Sequence, residues 1–155
     1  MERRFVEAVQ AHRHRLYRVA YGILHAAADA EDAVSAAVEA VWKRLGSLRS
    51  ADALPAYLMR ATINTARSEW RKRGRVTPVE AVYDSAAQPE EGVAGYVSHL
   101  AEKYRLPLTL KFGEGMSEQE IAVILRLPRG TVSSRISRGL AMLRKDLTEE
   151  EGDHA

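Results

Sequence analysis

The stretch that most constrains the fold is residues 115–143, GMSEQEIAVILRLPRGTVSSRISRGLAML. It reads as a helix, a break and a second helix with a polar outer face. Ser117 with Glu120 three positions later has the form of a capping box, which supplies partners to unpaired backbone N–H groups at a helix start. Ile121, Ala122, Ile124 and Leu125 give that short helix an apolar side. Leu127-Pro128-Arg129-Gly130 interrupts it, because proline and glycine punctuate turns. Thr131 is the expected cap of the next helix, where Val132, Ile136, Leu140 and Leu143 recur at helical spacing and should face the core. At about 100° per residue, Ser134, Ser137 and Arg138 fall on the opposite side, flanked by Ser133 and Arg135. A helix-turn-helix with such a second helix suits the major groove of duplex DNA. Short serines let the backbone approach base edges, and arginines reach phosphate. An ordinary amphipathic helix pair with a solvated face gives the same pattern, so the rest of the chain has to decide.

That rest is also helical. The apolar spacing predicts a helix over residues 2–24, with Phe5, Val9, Leu16, Val19, Ala20, Ile23 and Leu24 inward. A second helix is expected from a cap at Asp29, with Asp32 at its third position. Its buried face would be Ala30, Ala33, Val34, Ala37, Val38, Val41, Trp42 and Leu45, and Gly46 would end it. A loop over residues 47–53 leads to Leu54-Pro55, where proline suits the first helical turn, and a third helix runs to about Arg73. Residues 93–104 and 107–112 read as two further helices before the helix-turn-helix, and the tail after Leu147 reads as frayed. The fold class is therefore all-α: two small helical domains, 1–75 and 93–150, joined by a flexible linker over 76–92, with the helix-turn-helix in the second.

Net charge is only +2, but it is unevenly distributed. Residues 1–75 carry +6 and residues 100–147 carry +4, while residues 76–99 and 148–155 carry −4 each. Two basic blocks on an acidic tether suggest two nucleic-acid-binding units. The chain has no cysteine, which excludes disulfides, thiolate zinc sites and a cysteine nucleophile, and which fits a cytoplasmic protein. No run approaches the roughly 18 apolar residues of a membrane span, so no membrane insertion is expected. His12 and His14 form an H-x-H, but on a helix they point about 200° apart, so no metal site is expected. No paired carboxylates, nucleophile–base pair or phosphate loop is visible; neither an enzyme nor a cofactor is expected.

The third helix carries a stripe. Arg60, Asn64, Arg67 and Arg71 lie within about 60° of arc on it. Three cations in a row repel one another, and counterion release from nucleic acid would offset that repulsion. Asn64 can both donate to and accept from a base edge. Lys72, Arg73 and Arg75 are expected to extend the positive charge past the helix end. Tyr57 and Trp70 could stack on unpaired bases, or could simply be core.

Four blocks now stand in order: HRLYRVAYGIL, DAEDAVSAAVEAVWKRL, LPAYLMRATINTARSEWRKR and KYRLPLTLKFGEGMSEQEIAVILRLPRGTVSSRISRGLAMLRKDL. Together they resemble an extracytoplasmic-function (ECF) sigma factor of bacterial RNA polymerase. The resemblance covers roughly residues 13–73 and 102–147. It implies a first domain that binds the clamp helices of the largest polymerase subunit and captures the melted minus-ten element. It implies a second domain that binds the flap of the second-largest subunit and reads the minus-thirty-five element as duplex. It implies that the acidic linker threads toward the RNA exit channel, and that an anti-sigma factor holds the protein inactive. On these grounds Asp32, Ser35, Ala36 and Glu39 are the expected polymerase-binding positions. The loop 47–53 and Asn64 would hold a flipped base, an extrusion costing a few kcal/mol that an enclosing pocket must offset. Arg60, Arg67, Arg71, Lys72 and Arg73 would hold the opened strand. Ser133, Ser134 and Ser137 would face bases, with Arg129, Thr131, Arg135 and Arg138 beside them on the backbone; Arg135 could instead pair within the domain.

Three departures from the family pattern stand out. Ser35-Ala36-Ala37-Val38 replaces a Gln-Glu-Thr-Phe-like run, which removes polar groups expected against polymerase. Ser133 stands where a lysine or arginine is common, at a cost of about 1–3 kcal/mol of discrimination at one base. Arg126 replaces a common glycine between the two helices, a strain of about 1–2 kcal/mol if that residue is left-handed. The first departure keeps two other readings open: a sigma-like DNA-binding regulator that does not engage polymerase, and a decoy for an anti-sigma factor.

Overall fold

Helical periodicity of the apolar residues sets every regular element. The structure is a computed structural model that describes residues 1–75 and 93–153. The expected linker, 76–92, lies outside the described residues. The chain divides into two compact units, Met1–Gln88 and Pro89–Ala155.

In the first unit, α1 (Glu2–Leu24), α2 (Ala27–Lys43) and α3 (Leu54–Arg75) pack on one another pairwise. Leu16, Val19, Ala20, Ile23 and Leu24 of α1 meet Leu54, Leu58, Met59, Ile63 and Ala66 of α3 in the core. The buried face of α2 is built from Ala30, Ala33, Val34, Ala37 and Val41, and its short side chains let the neighbouring helices approach. Full burial of each large aliphatic side chain contributes about 1.5–3 kcal/mol. Thr62 is the one buried polar residue among those described, and its hydroxyl donates to the Leu58 carbonyl at 2.8 Å. α1 stops at His25, which is left-handed (φ 55°) and returns its N–H to the Tyr21 carbonyl at 2.8 Å.

Three details differ from the sequence reading. α2 begins at Ala27, so Asp29 is not its cap. Asp29 lies in the first turn, where a carboxylate still complements the helix dipole. Trp42 is exposed; the core side of α2 ends at Val41, and the indole instead tilts against Phe5 at 5.3 Å between ring centres. α2 ends at Lys43, and the link to α3 is two 3₁₀ turns, Leu45–Ser47 and Ala51–Ala53.

In the second unit the expected helix over 93–104 is broken. α4 (Val93–Val97) closes with the Leu100 N–H on the Val97 carbonyl, and α5 (Glu102–Leu108) restarts after Ala101. Pro107 sits inside α5, where it removes one N–H donor. The expected helix over 107–112 is the end of α5 followed by a π-helical turn, Thr109–Gly113. α6 (Glu118–Leu125) is capped by the Ser117 hydroxyl, which accepts from the Glu120 N–H at 3.1 Å. α7 (Arg129–Asp153) is continuous past Leu147, so the tail expected to fray is helical as far as Asp153, and His154 and Ala155 lie outside the described residues. α7 opens with the Pro128 carbonyl accepting from Thr131 and Val132, which puts Thr131 inside the first turn rather than at the cap. Val132 and Ile136 are buried, but Leu140 is exposed and Leu143 only half-buried. Gly139 takes the expected core place of Leu140. A Cβ there would meet Leu108 Cδ1 at 2.7 Å and Cγ at 3.3 Å, so α7 and α5 touch through the missing side chain.

Candidate nucleic-acid and polymerase interfaces

α3 packs through the arc that holds Leu54, Leu58, Thr62 and Ala66, and this fixes where its polar residues stand. Asn64 and Arg71 are exposed. Arg60 and Arg67 are half-buried with their Nε atoms inside, so their aliphatic stems lie along the helix surface. The four expected stripe residues thus share one side of α3, opposite its packed arc. Lys72 and Arg73 do not. Because α3 continues to Arg75, both obey helical geometry: Lys72 turns about 100° from Arg71 and Arg73 about 160°. Lys72 pairs with Glu69 at 3.3 Å. Arg73 faces the junction of α1 and α2, where it ion-pairs with Asp29 and donates to the Leu24 carbonyl at 3.1 Å. These contacts tie the end of α3 to α1 and α2. Trp70, at the edge of the packed arc, is exposed and stands edge-on to His25 with ring centres 6.2 Å apart; Tyr57 is half-buried.

The loop over 47–53 is held at both ends. The Ser47 hydroxyl donates to the Arg44 carbonyl at 2.8 Å, and the Ser50 hydroxyl accepts from the Asp52 N–H at 3.2 Å. Arg4, in the first turn of α1, donates to Asp52 at 2.6 Å. Sequence reasoning missed this residue, since nothing local to Arg4 signals a partner 48 positions away.

On α2, Asp32, Ser35, Ala36 and Glu39 are all exposed and lie within about 100° of arc, away from Ala33 and Ala37. Glu39 pairs with Lys43 at 3.0 Å. Between α1 and α2, Gln10, Arg13, His14, Tyr17, Glu31 and Val34 line a cavity of about 450 Å³. Among the described residues no group of three His, Asp or Glu side chains is placed to hold a metal ion.

On α7, Ser134, Ser137, Arg138 and Arg129 are exposed, whereas Thr131, Ser133 and Arg135 are half-buried. Helical geometry adds two residues that the sequence reading passed over. Gly130 and Ala141 fall with Ser134 and Ser137 within about 60° of arc, and both are exposed. The helix therefore presents a smooth strip of small side chains, with Arg138 on one margin. A strip of this kind lets a helix backbone lie close to the floor of a groove. Arg126, which ends α6, is left-handed (φ 56°, ψ 47°), as a glycine at that place would be.

Family models match both units: Sigma-70 region 2 over residues 8–76 and Sigma-70 region 4 over residues 93–143. The RNA polymerase sigma-E factor of Streptomyces antibioticus is 32% identical, over 96% of this chain and 87% of its own length. The chain belongs to the ECF sigma factors. The sigma-H factor of Pseudomonas aeruginosa is 29% identical over 94% of this sigma factor and 87% of its own length. Among solved structures, a Bartonella quintana sigma factor, RpoE, crystallised with the anti-sigma factor NepR, shares the fold with a TM-score of 0.75. It is 24% identical, with 93% of this chain and 96% of that one covered. As a sigma factor, the protein has core RNA polymerase and promoter DNA as its partners. Among the described residues no helix is long and apolar enough to cross a membrane.

Proposed function

We propose that the two units divide promoter recognition by the physical state of the DNA. The exposed face of α2, with Asp32, Ser35, Ala36 and Glu39, docks on core polymerase. Arg60, Asn64, Arg67 and Arg71 hold the strand opened at the minus-ten element, with a flipped base held by the loop 47–53 and Trp70 available to stack on a neighbour. Arg73 acts on that strand only indirectly, through the placement of α3, and Lys72 stands on another side of the helix, paired with Glu69. The small-residue strip of α7 reads the minus-thirty-five duplex, and Arg129 and Arg138 hold its phosphates. An anti-sigma partner restrains the protein in the cytoplasm until a signal arrives, and the chain itself performs no catalysis. The observation that carries this reading is the contrast between the two polar faces. One is a row of long cations beside an exposed indole, suited to a strand with open bases. The other is a smooth strip edged by arginine, suited to an intact groove.

The test is transcription by purified bacterial core polymerase, with and without the protein, on a library of promoters from the host genome. Transcripts that appear only with the protein, and that share two upstream elements, support the assignment. Duplex binding without core binding would favour a DNA-binding regulator, a reading that the small side chains at Ser35 and Ala36 keep in play. Absence of both would favour a decoy for an anti-sigma factor.

A further inference from the structure

The turn between α6 and α7 holds its backbone in a shape that its side chain does not favour. The Arg126 N–H lies over the Ala122 and Val123 carbonyls, and the Leu127 N–H returns to the Ala122 carbonyl at 3.0 Å. That six-residue closure requires a left-handed residue at 126, and glycine meets the requirement without the clash of a Cβ. Arginine does not. Apart from glycines, only His25 and Arg126 have positive φ among the described residues. The Arg126 side chain is exposed, and among the described residues its guanidinium has no ion pair or hydrogen bond within the unit. Local stability therefore does not account for arginine here.

Its position offers another account. Arg126 ends the helix that, in a helix-turn-helix, crosses the DNA backbone, and it lies three residues before the helix that enters the groove. The groove-facing strip of α7 is small and uncharged through Gly130, Ser134, Ser137 and Ala141, so cations that hold the backbone must stand at its margins. We infer that Arg126 is a phosphate-binding residue of the duplex-reading domain, and that its strained backbone is kept for the DNA contact that it provides. Strain concentrated at a functional site in this way is a recognised pattern. The inference rests on the reading of α6 and α7 as the minus-thirty-five reader, and it adds a residue to that reader.

The test uses holoenzyme reconstituted with core polymerase and duplexes carrying the upstream element, selected from a random library by the wild-type holoenzyme. Affinity is measured for wild type, Arg126→Gly and Arg126→Lys at several salt concentrations. Removing one phosphate contact lowers the slope of log K against log salt by about 0.9. Between 0.05 and 0.2 M salt, wild type should thus lose roughly 3.5-fold more affinity than Arg126→Gly. Arg126→Gly should bind every selected duplex more weakly by one common factor, while Arg126→Lys keeps the wild-type slope. Amide exchange in α6 should meanwhile slow a few-fold in Arg126→Gly, which excludes misfolding as the cause of the weaker binding. Unchanged affinity and slope in Arg126→Gly would overturn the inference and leave Arg126 a helix terminator. A loss that varies from duplex to duplex would also overturn it, since phosphate contacts carry no sequence information. If the wild-type holoenzyme selects no upstream element, the assignment of the reader fails, and this residue's role fails with it.

Discussion

Replacing Arg73 with alanine should weaken the fold of the first unit and leave its grip on DNA intact. The side chain pairs with Asp29 and donates to the Leu24 carbonyl, and both carboxylate and guanidinium are partly exposed, at 44% and 39%. Solvent screening at that exposure limits the ion pair to about 0.2–1 kcal/mol. A hydrogen bond from a charged donor to a part-buried carbonyl adds about 1 kcal/mol. Arg73→Ala should therefore cost about 1–2 kcal/mol, and Asp29→Ala about 1 kcal/mol once its place near the α2 N-terminus is included. In a double-mutant cycle the two should couple by about 0.5–1 kcal/mol. Urea unfolding followed by tryptophan emission is a clean assay, because Trp42 and Trp70 both lie in this unit and the chain has two tryptophans. The companion measurement is the salt dependence of promoter binding by the holoenzyme. Arg71→Ala should lower the slope by about 0.9, whereas Arg73→Ala should leave it unchanged. An additive double mutant together with a lowered slope for Arg73→Ala would refute the scaffold role and return Arg73 to the strand.

Three other outcomes are expected. Arg67→Ala combined with Arg71→Ala should impair promoter opening more than duplex binding, so permanganate reactivity of minus-ten thymines should fall; unchanged reactivity would count against the stripe. Ala36→Glu should tighten binding to core polymerase if the small side chains on α2 weaken that contact, and an unchanged dissociation constant would move the contact elsewhere. Gly139→Leu should destabilise the second unit by about 1–3 kcal/mol, because even its Cβ would lie 2.7 Å from Leu108 Cδ1 in a filled core. Wild-type hydrogen-exchange protection of α5 in that variant would show that Leu108 yields freely.

Local rules carried much of the molecule. Helical spacing located α1, α2 and α3 and most of their buried residues, because a helix exposes its packing face in sequence as a 3.6-residue period. The capping role of Ser117 and the arc shared by Arg60, Asn64, Arg67 and Arg71 are likewise short-range geometry, fixed once a helix is assumed. The blocks that carry the family resemblance are contiguous runs, so the two-unit organisation and the sigma-factor membership were legible from them.

What only the tertiary structure decided are matters of how far an element runs and what it meets. Arg73 reads as one more cation of a basic tail until α3 is seen to continue to Arg75; two residues of extra helix turn it onto Asp29, 44 positions earlier. Trp42 and Leu140 fit their apolar periods yet lie exposed, since periodicity gives a direction and not the extent of the neighbour that would cover it. Gly139 carries no periodic apolar signal in the sequence and is the point where α7 touches α5. Arg4 gains its partner Asp52 only when the start of α1 folds back beside the loop before α3. For Arg73, Gly139 and Arg4 the deciding contact joins residues distant in sequence. Propensity and spacing act over a few residues, so the sequence alone settled where α1, α2, α3 and α6 lie, while packing settled the bounds of α4, α5 and α7 and which helix faces are free to act.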